Sequence, residues 1–382
     1  MSILNARSAP VVAGLLVLTA CACGAPAAHA PDPTTGPTEE DPTHRTPGPS
    51  ADYEVHEWGL IRGGPADSQR FGAIAPVAIE AMAVDKPVLY FHAPAPLTLR
   101  TVEITAGSGG TLLETWPLAT LSAAGAHAAW TDVAIDPTDP CEISPLPGAA
   151  QAPCAGLPAG EVCETLSLGI VRVDDAACVR VGDHRERFLF YRGRATSFTP
   201  PLRFERTGAY EVIRVTNEGD AVIPGMLVRL SSDGGRVRTL AVSPPAPHQS
   251  IDVRADFDSD TAPVADRSAD DESDDRTDMP ALPPTGPGRQ SLRESMRTIG
   301  LTESETDAFM RAWDGALFGP GRYALDTLSA DLDPAPQDSF VYFLPAAALE
   351  DVAHLELDPP PSGGVRRAIA MWSVVRGTGA SH

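Results

Sequence analysis

The residues of this sequence that could do chemistry are a few histidines and acids in or beside predicted strands. His56 and Glu57 are adjacent in a segment that alternates as a strand does, so they point to opposite faces unless a bulge intervenes. His92 ends another predicted strand, and Asp183 and His184 precede a third. Imidazole and carboxylate groups are ligands of zinc in proteins. The candidate metal ligands are therefore His56, His92, Asp183 and His184.

The spacing of these candidates matches no known catalytic motif. The patterns Gly-x-Ser-x-Gly and His-Glu-x-x-His are absent, and so is the phosphate-binding loop. His56 and Glu57 are the candidates for hydrolytic catalysis, but ordinary strand histidines with local hydrogen bonds would give the same pattern. We therefore favour a non-catalytic protein with no resident cofactor. A metal-dependent hydrolase that uses His56 and its neighbours is the alternative.

Aromatic side chains offer a second kind of site. Trp58, Trp116, Trp130 and Tyr90 could together form a platform on which sugar rings stack, and this would require their rings to be exposed. With one such residue per strand, filling of a β-sandwich core is the alternative role. A glycan-binding module is thus a further alternative function.

The elements that must position these residues are mostly short strands. Between residues 53 and 255, apolar segments are separated by turn signals, a pattern typical of a β-sandwich. Hairpins are predicted where 98–105 and 111–116 flank a glycine-rich turn, and where two strands flank 233–235. The predicted fold class is mainly β: an antiparallel β-sandwich-like body with a C-terminal αα-hairpin plus strands, an α+β arrangement.

Residues 289–318 form the only strongly helical stretch of the sequence. Gly300 is placed to end a first helix, and Thr302 with Glu305 forms a capping box that begins a second. The apolar residues at helical spacing are Leu292, Met296 and Ile299, followed by Phe309, Trp313 and Leu317. Such stripes pack against a core, so we predict an αα-hairpin that covers another part of the fold.

Four cysteines lie in one part of the chain, where Pro, Gly and Ala indicate a loop. They are Cys141, Cys154, Cys163 and Cys178, an even number that predicts two disulfides in an exported protein. Three connectivities are possible. We favour the pairs Cys141–Cys154 and Cys163–Cys178 because they close short loops. No two cysteines have the C-x2-C spacing typical of zinc sites.

The first residues resemble a bacterial lipoprotein signal. An apolar run of about eight residues is too short to span a bilayer, which needs roughly 20. It leads into Leu18-Thr19-Ala20-Cys21, which is similar to a lipobox, so we expect cleavage before Cys21 and acylation of that cysteine. Ala22, in place of an aspartate, favours the outer membrane. Cleavage after Ala30 and soluble secretion is the alternative.

The chain is predicted to have five segments. They are a signal peptide (1–20), a disordered Pro-rich tether (21–52), a β-rich domain with a disulfide-pinned loop (53–255), an acidic disordered linker (256–288) and a C-terminal unit of the helical hairpin with strands (289–376). The tether and the linker lack the apolar side chains that a packed core requires.

The acidic linker raises the question of calcium. Alternating carboxylates at Asp256, Asp258 and Asp260 could be calcium ligands. However, no glycine follows at the sharp turn and no glutamate closes the loop. A solvated linker is therefore the prediction.

Composition excludes one class of partner. The formal net charge of the chain is -22. Nucleic acids need basic surfaces for their phosphates, so we expect no nucleic-acid partner. The same charge argues against electrostatic docking on anionic lipid.

Several segments together resemble an uncharacterised family of exported bacterial (lipo)proteins. Its members begin the folded region with His-Glu-Trp-Gly, which stands here at residues 56–59. The other similar segments are Pro87–Phe91, Phe188–Gly193, Ala308–Trp313 and Phe340–Pro345. The resemblance implies a fold and an exported location only, since no activity is established for the family. Where the family continues Gly-Thr-Phe-Thr, this chain has Gly59-Leu60-Ile61-Arg62.

These observations favour a non-catalytic cell-envelope lipoprotein with a binding or structural role. Its expected partners are the lipid bilayer, reached through acylated Cys21, and a protein or glycan of the envelope.

Overall fold

The structure of the protein, a computed structural model, describes nine stretches of the chain. They are residues 49–63, 82–107, 109–147, 163–195, 198–207, 212–233, 236–254, 286–318 and 338–375. The predicted signal peptide, Cys21, Cys154 and nearly all of the predicted tether and linker lie outside the described residues. Within the described residues, no helix is both long and apolar enough to cross a membrane.

The described residues form strands, three α-helices and one 3₁₀ helix. The strands are β1 (Glu54–Gly63), β2 (Met82–His92), β3 (Leu97–Ala106), β4 (Thr111–Trp116), β5 (Thr120–Leu121), β6 (His127–Asp136), β7 (Cys178–Val181), β8 (His184–Glu186), β9 (Leu189–Ala195), β10 (Leu202–Arg206), β11 (Ile213–Asn217), β12 (Leu227–Asp233), β13 (Arg236–Val242), β14 (Ser250–Val253), β15 (Asp338–Phe343), β16 (Ala353–Asp358) and β17 (Val365–Val375). The helices are α1 (Pro287–Ile299), α2 (Glu303–Phe318), α3 (Ala346–Val352) and the 3₁₀ helix Glu164–Val171. The mainly β, α+β fold class is confirmed.

An eight-stranded sheet is the centre of the fold, with β1 among its inner strands. Its order is β13-β12-β15-β17-β1-β2-β9-β4. β1 pairs in parallel with β17 and antiparallel with β2. The C-terminal strands β15 and β17 therefore lie between β12 and β1, in the same sheet as strands of the predicted 53–255 domain. This corrects the expectation of a separate C-terminal unit, because long-range pairing joins segments that the linker separates in sequence.

One face of this sheet packs against two smaller sheets. They have the orders β16-β3-β6-β7-β8 and β10-β11-β14, and β5 pairs with β6 at the side. The shared core includes Val55, Leu89 and Tyr342 from the large sheet and Val102, Trp130 and Val215 from the smaller ones. Phe204 stacks on Phe340 with ring centroids 4.6 Å apart. This is the sandwich that the alternating pattern predicted.

Helices α1 and α2 cover the opposite face of the large sheet. Side chains of β1 and β2 such as Trp58 and Tyr90 share a second core with Leu292 of α1 and Phe309 of α2. The ring of Trp58 meets that of Phe309 edge-on at 5.6 Å. The helical hairpin is therefore present as predicted, and it covers a sheet.

The two helices begin and end as their sequence indicates. Gly300 has φ +113° and ends α1, and the Leu301 N–H donates to the Met296 carbonyl at 3.1 Å. At the start of α2, the Glu305 N–H donates to Thr302 Oγ1 at 3.2 Å, and the Thr302 N–H donates to Glu305 Oε2 at 2.8 Å. Both halves of the capping box are formed.

One predicted hairpin is wrong. The glycine-rich turn after β3 does not pair β3 with β4, because β3 pairs with β6 in a smaller sheet while β4 pairs with β9 in the large sheet. Gly107 and Gly110 instead lie where the chain crosses from one sheet to the other in close contact with neighbouring backbone. A Cβ on Gly107 would lie 1.8 Å from the Asp351 carbonyl oxygen, and one on Gly110 would lie 2.7 Å from that of Arg194. The predicted β12–β13 hairpin is confirmed.

The disulfide connectivity also differs from the prediction. Cys141 is bonded to Cys178, so both favoured pairs, Cys141–Cys154 and Cys163–Cys178, are wrong. Cys163 is itself disulfide-bonded. The reason is strand register: Asp136 at the end of β6 pairs with Cys178 of β7, which brings the segment after β6 alongside β7. The pairing of β6 with β7 thus determines which cysteines meet, although bonds between cysteines closer in sequence would close shorter loops.

Removing this disulfide should destabilise the protein substantially. The bond spans a sequence separation of 37 residues, and loops of this size restrict the unfolded chain enough to contribute roughly 3 to 4 kcal/mol. We expect the Cys141→Ser/Cys178→Ser variant to lose about that much free energy of unfolding in urea titrations at pH 7. Digestion with trypsin and a glutamate-specific protease separates all four cysteines, so a linked pair of peptides containing Cys141 and Cys154 would contradict the pairing.

Candidate metal centre

Two histidines come together on the helix-covered face of the large sheet. Even-numbered residues of β1 point to this face, and His56 is one of them. His92 ends β2, where it pairs with Glu54, while His56 pairs with Tyr90. His56 and His92 are therefore diagonal neighbours across an antiparallel pair, with ring centroids 4.4 Å apart.

The helical hairpin adds a carboxylate to the two rings. Glu305 lies in the first turn of α2, and the capping box with Thr302 fixes its side chain. Its side chain is fully buried, at 0% exposure. Two conditions position the Glu305 carboxylate: the helical hairpin must dock on the sheet, and the capping box must form.

The donor atoms of these residues face one another. His56 Nδ1 lies 2.8 Å from Glu305 Oε2 and 3.1 Å from Oε1. His92 Nε2 lies 2.8 Å from Glu305 Oε1. The three prospective ligand atoms all lie within 4.8 Å of one another. Two imidazole nitrogens and one carboxylate oxygen are a donor set that zinc uses.

The buried carboxylate of this cluster is negatively charged and so favours a cation beside it. Burial would raise the pKa of Glu305, but hydrogen bonds from His56 and His92 outweigh it and lower that pKa to about 2. Burial would lower the pKa of His92, but its hydrogen bond and attraction to Glu305 outweigh burial and raise it. The carboxylate is therefore ionised, and it needs a proton on the rings or a metal ion among them.

Solvent reaches the cluster from one side. The side chain of His56 is 7% exposed, whereas that of His92 is 22% exposed. Glu54 lies at the same rim, with 32% of its side chain exposed. An ion could therefore enter past His92 and Glu54 without unfolding of the core.

Glu57 lies on the opposite face of β1 from His56, as strand alternation requires. The Tyr191 hydroxyl donates to Glu57 Oε1 at 2.5 Å, and the Arg367 guanidinium donates to Oε2. Glu57 is completely buried in this network. His56 and Glu57 therefore do not share a site, and the acid that contacts His56 Nδ1 is Glu305.

Asp183 and His184 are not part of the cluster. Asp183 lies in the exposed turn between β7 and β8, and His184 is the first residue of β8, in a different sheet. The His184 ring instead meets Trp116 edge-on at 5.2 Å. The third group comes from α2, and the sequence marked Glu305 only as a capping residue.

The proposed aromatic platform is not formed by the four residues named for it. Trp58, Tyr90, Trp116 and Trp130 are all buried, none of them more than 4% exposed. The Tyr90 hydroxyl donates to the Val171 carbonyl at 2.6 Å, and the Trp130 ring N–H to the Pro117 carbonyl at 2.7 Å. Their faces are therefore closed to sugar rings, and these residues fill the core.

No protein-family model and no curated protein matches the chain. The resemblance to an exported family stays a prediction.

Replacing Glu305 by Gln should reduce stability in a pH-dependent way. The folded pKa of about 2 lies below the ordinary 4.5, so the ionised carboxylate stabilises the fold above pH 4.5, and this contribution is lost as pH falls toward 2. In metal-free buffer we expect Glu305→Gln to lower the free energy of unfolding at pH 6 by about 2 to 3 kcal/mol. The difference in free energy of unfolding between Glu305→Gln and the wild type, measured by urea titration, should become smaller below pH 4. A gap that is constant with pH would contradict the assigned ionisation.

Proposed function

We propose that this protein is a lipid-anchored protein of the cell envelope whose folded body binds a divalent transition-metal ion through His56, His92 and Glu305. The observation that carries this proposal is the convergence of three ligand atoms within 4.8 Å. They come from β1, β2 and α2, which are distant in sequence. A binding role without catalysis is the primary form of the proposal.

The donor set favours zinc-like ions over calcium or magnesium. Calcium takes six to eight oxygen ligands and magnesium about six, many of them water. Imidazole suits zinc, copper, nickel and iron. With two ring nitrogens and one carboxylate, the cluster matches that second group, and zinc is the first ion to test.

Sequence features support the location in the envelope. The lipobox-like segment ending in Cys21 predicts two or three acyl chains, enough for stable anchoring. The Cys141–Cys178 disulfide fits an oxidising compartment outside the cytoplasm. The Pro-rich segment that follows Cys21 would hold the body away from the bilayer.

A metal-dependent hydrolase is the second candidate function. Three protein ligands leave one tetrahedral position for water, as in catalytic zinc sites, whereas structural zinc sites are closed by four. The partial exposure of His92 favours access to that position. Zinc-dependent cleavage of model esters or phosphoesters that disappears in His92→Ala would favour this candidate over binding alone.

Zinc binding can be tested directly on residues 22–382 with Cys23→Ser, which leaves only the four cysteines of the predicted disulfides. We expect one zinc per chain after dialysis by elemental analysis, and a melting temperature that falls when a chelator is added. His56→Ala and His92→Ala should each weaken binding at least about 100-fold, equivalent to roughly 3 kcal/mol.

His127→Ala is the matched control. His127 is a strand histidine that pairs with Glu103 at 3.0 Å, outside the cluster. It should keep full zinc binding. A wild-type chain without bound zinc, or unchanged binding in His56→Ala, would overturn the proposal.

A further inference from the structure

The second ring nitrogen of His56 is buried beside an acid. His56 Nε2 is shielded from solvent and has no hydrogen-bond partner within the described residues. A carboxylate lies beside it, since Glu54 Oε1 is 3.5 Å from His56 Nε2. His56 thus points Nδ1 at Glu305 and Nε2 at Glu54.

The strands hold Glu54 in this place from two sides. Glu54 and His56 are two residues apart on β1, so both side chains lie on the helix-covered face. Across the parallel pair, His56 stands opposite Arg366 of β17, and the Arg366 Nε donates to Glu54 Oε1 at 2.7 Å. Across the antiparallel pair, Glu54 stands opposite His92. Pairing with both neighbouring strands therefore places this carboxylate at the rim of the cluster.

Metal coordination by His56 would give Glu54 a role as hydrogen-bond acceptor. A neutral histidine that binds a metal through one ring nitrogen carries its proton on the other, and that N–H needs an acceptor. If Nδ1 is the ligand, Nε2 carries the proton and faces a carboxylate. Such carboxylate–histidine–metal arrangements fix the tautomer and orientation of the ring and raise its affinity for the ion.

We infer that Glu54 is a positioning residue of the metal centre: when the ion is bound, Glu54 would close the 3.5 Å separation, accept a hydrogen bond from His56 Nε2–H and so select Nδ1 as the ligand atom. This inference rests on the proposed metal binding. Arg366 orients Glu54 for this role through its hydrogen bond to Glu54 Oε1. Glu54 itself is not a ligand, since its oxygen lies at the far end of the ring from Nδ1.

The inference is tested by zinc titration of Glu54→Ala and Glu54→Gln in the residue 22–382 chain with Cys23→Ser. Loss of a carboxylate in this role weakens metal binding by about 10- to 100-fold. We expect that loss in Glu54→Ala and a smaller one in Glu54→Gln, which keeps an acceptor oxygen. Glu103→Ala, which removes the partner of His127, is the matched control and should leave zinc affinity unchanged.

A spectroscopic readout separates positioning from a merely structural role. In the zinc-loaded protein with ¹⁵N-labelled histidine, long-range NMR correlations should show His56 metallated at Nδ1 and protonated at Nε2. The cobalt-substituted Glu54→Gln variant should keep the same coordination number in its visible spectrum as the wild type, and a change in that number would make Glu54 a ligand and overturn the inference.

The remaining outcomes separate this inference from the function on which it rests. If wild type binds zinc and Glu54→Ala binds it within twofold as tightly, the positioning role fails while metal binding stands. A His56 ring metallated at Nε2 would likewise overturn the positioning role alone. If the wild type binds no zinc, the proposed function fails and the inference fails with it.

Discussion

The burial of the Glu305 carboxylate is the constraint on which this part of the structure depends. A charge taken out of water costs several kcal/mol unless hydrogen bonds and an opposite charge compensate it. Glu305 receives the Thr302 N–H at the positive end of α2 and faces the rings of His56 and His92. The two rings reach it only when the helical hairpin is docked on the sheet. The docking of the hairpin, the capping of α2 and the compensation of the Glu305 charge therefore depend on one another.

Strand alternation decides which acid meets which base in this sheet. On the helix-covered face, Arg366 holds Glu54 beside His56. On the sandwich face, Arg367 holds Glu57, which is fully buried. A shift of one residue in the register of β1 would exchange the two faces and place Glu57 under α2. The apolar residues that alternate with these groups, such as Trp58, fix the register and so keep the two networks apart.

The parts of this fold that sequence predicts are those coded by local patterns. The stripes of α1 and α2, the Gly300 stop and the Thr302–Glu305 capping box involve neighbours a few residues apart, and all are formed. The role of Glu305 is not local, since 249 residues separate it from His56. A capping glutamate has the same sequence pattern whether it faces water or a sheet. The position of β17 beside β1 and the Cys141–Cys178 bond likewise follow from long-range pairing, which loop length does not indicate.

The cluster can meet its need for positive charge in two ways, and they compete. A proton on the ring of His92, whose pKa Glu305 raises, can balance the carboxylate, and a divalent ion can do so only where the ligand nitrogens are deprotonated. Metal binding would therefore release protons, and acid would favour the metal-free state. Both states supply the charge that the buried carboxylate requires. The same three residues would then hold a compensated charge under α2 with or without the ion.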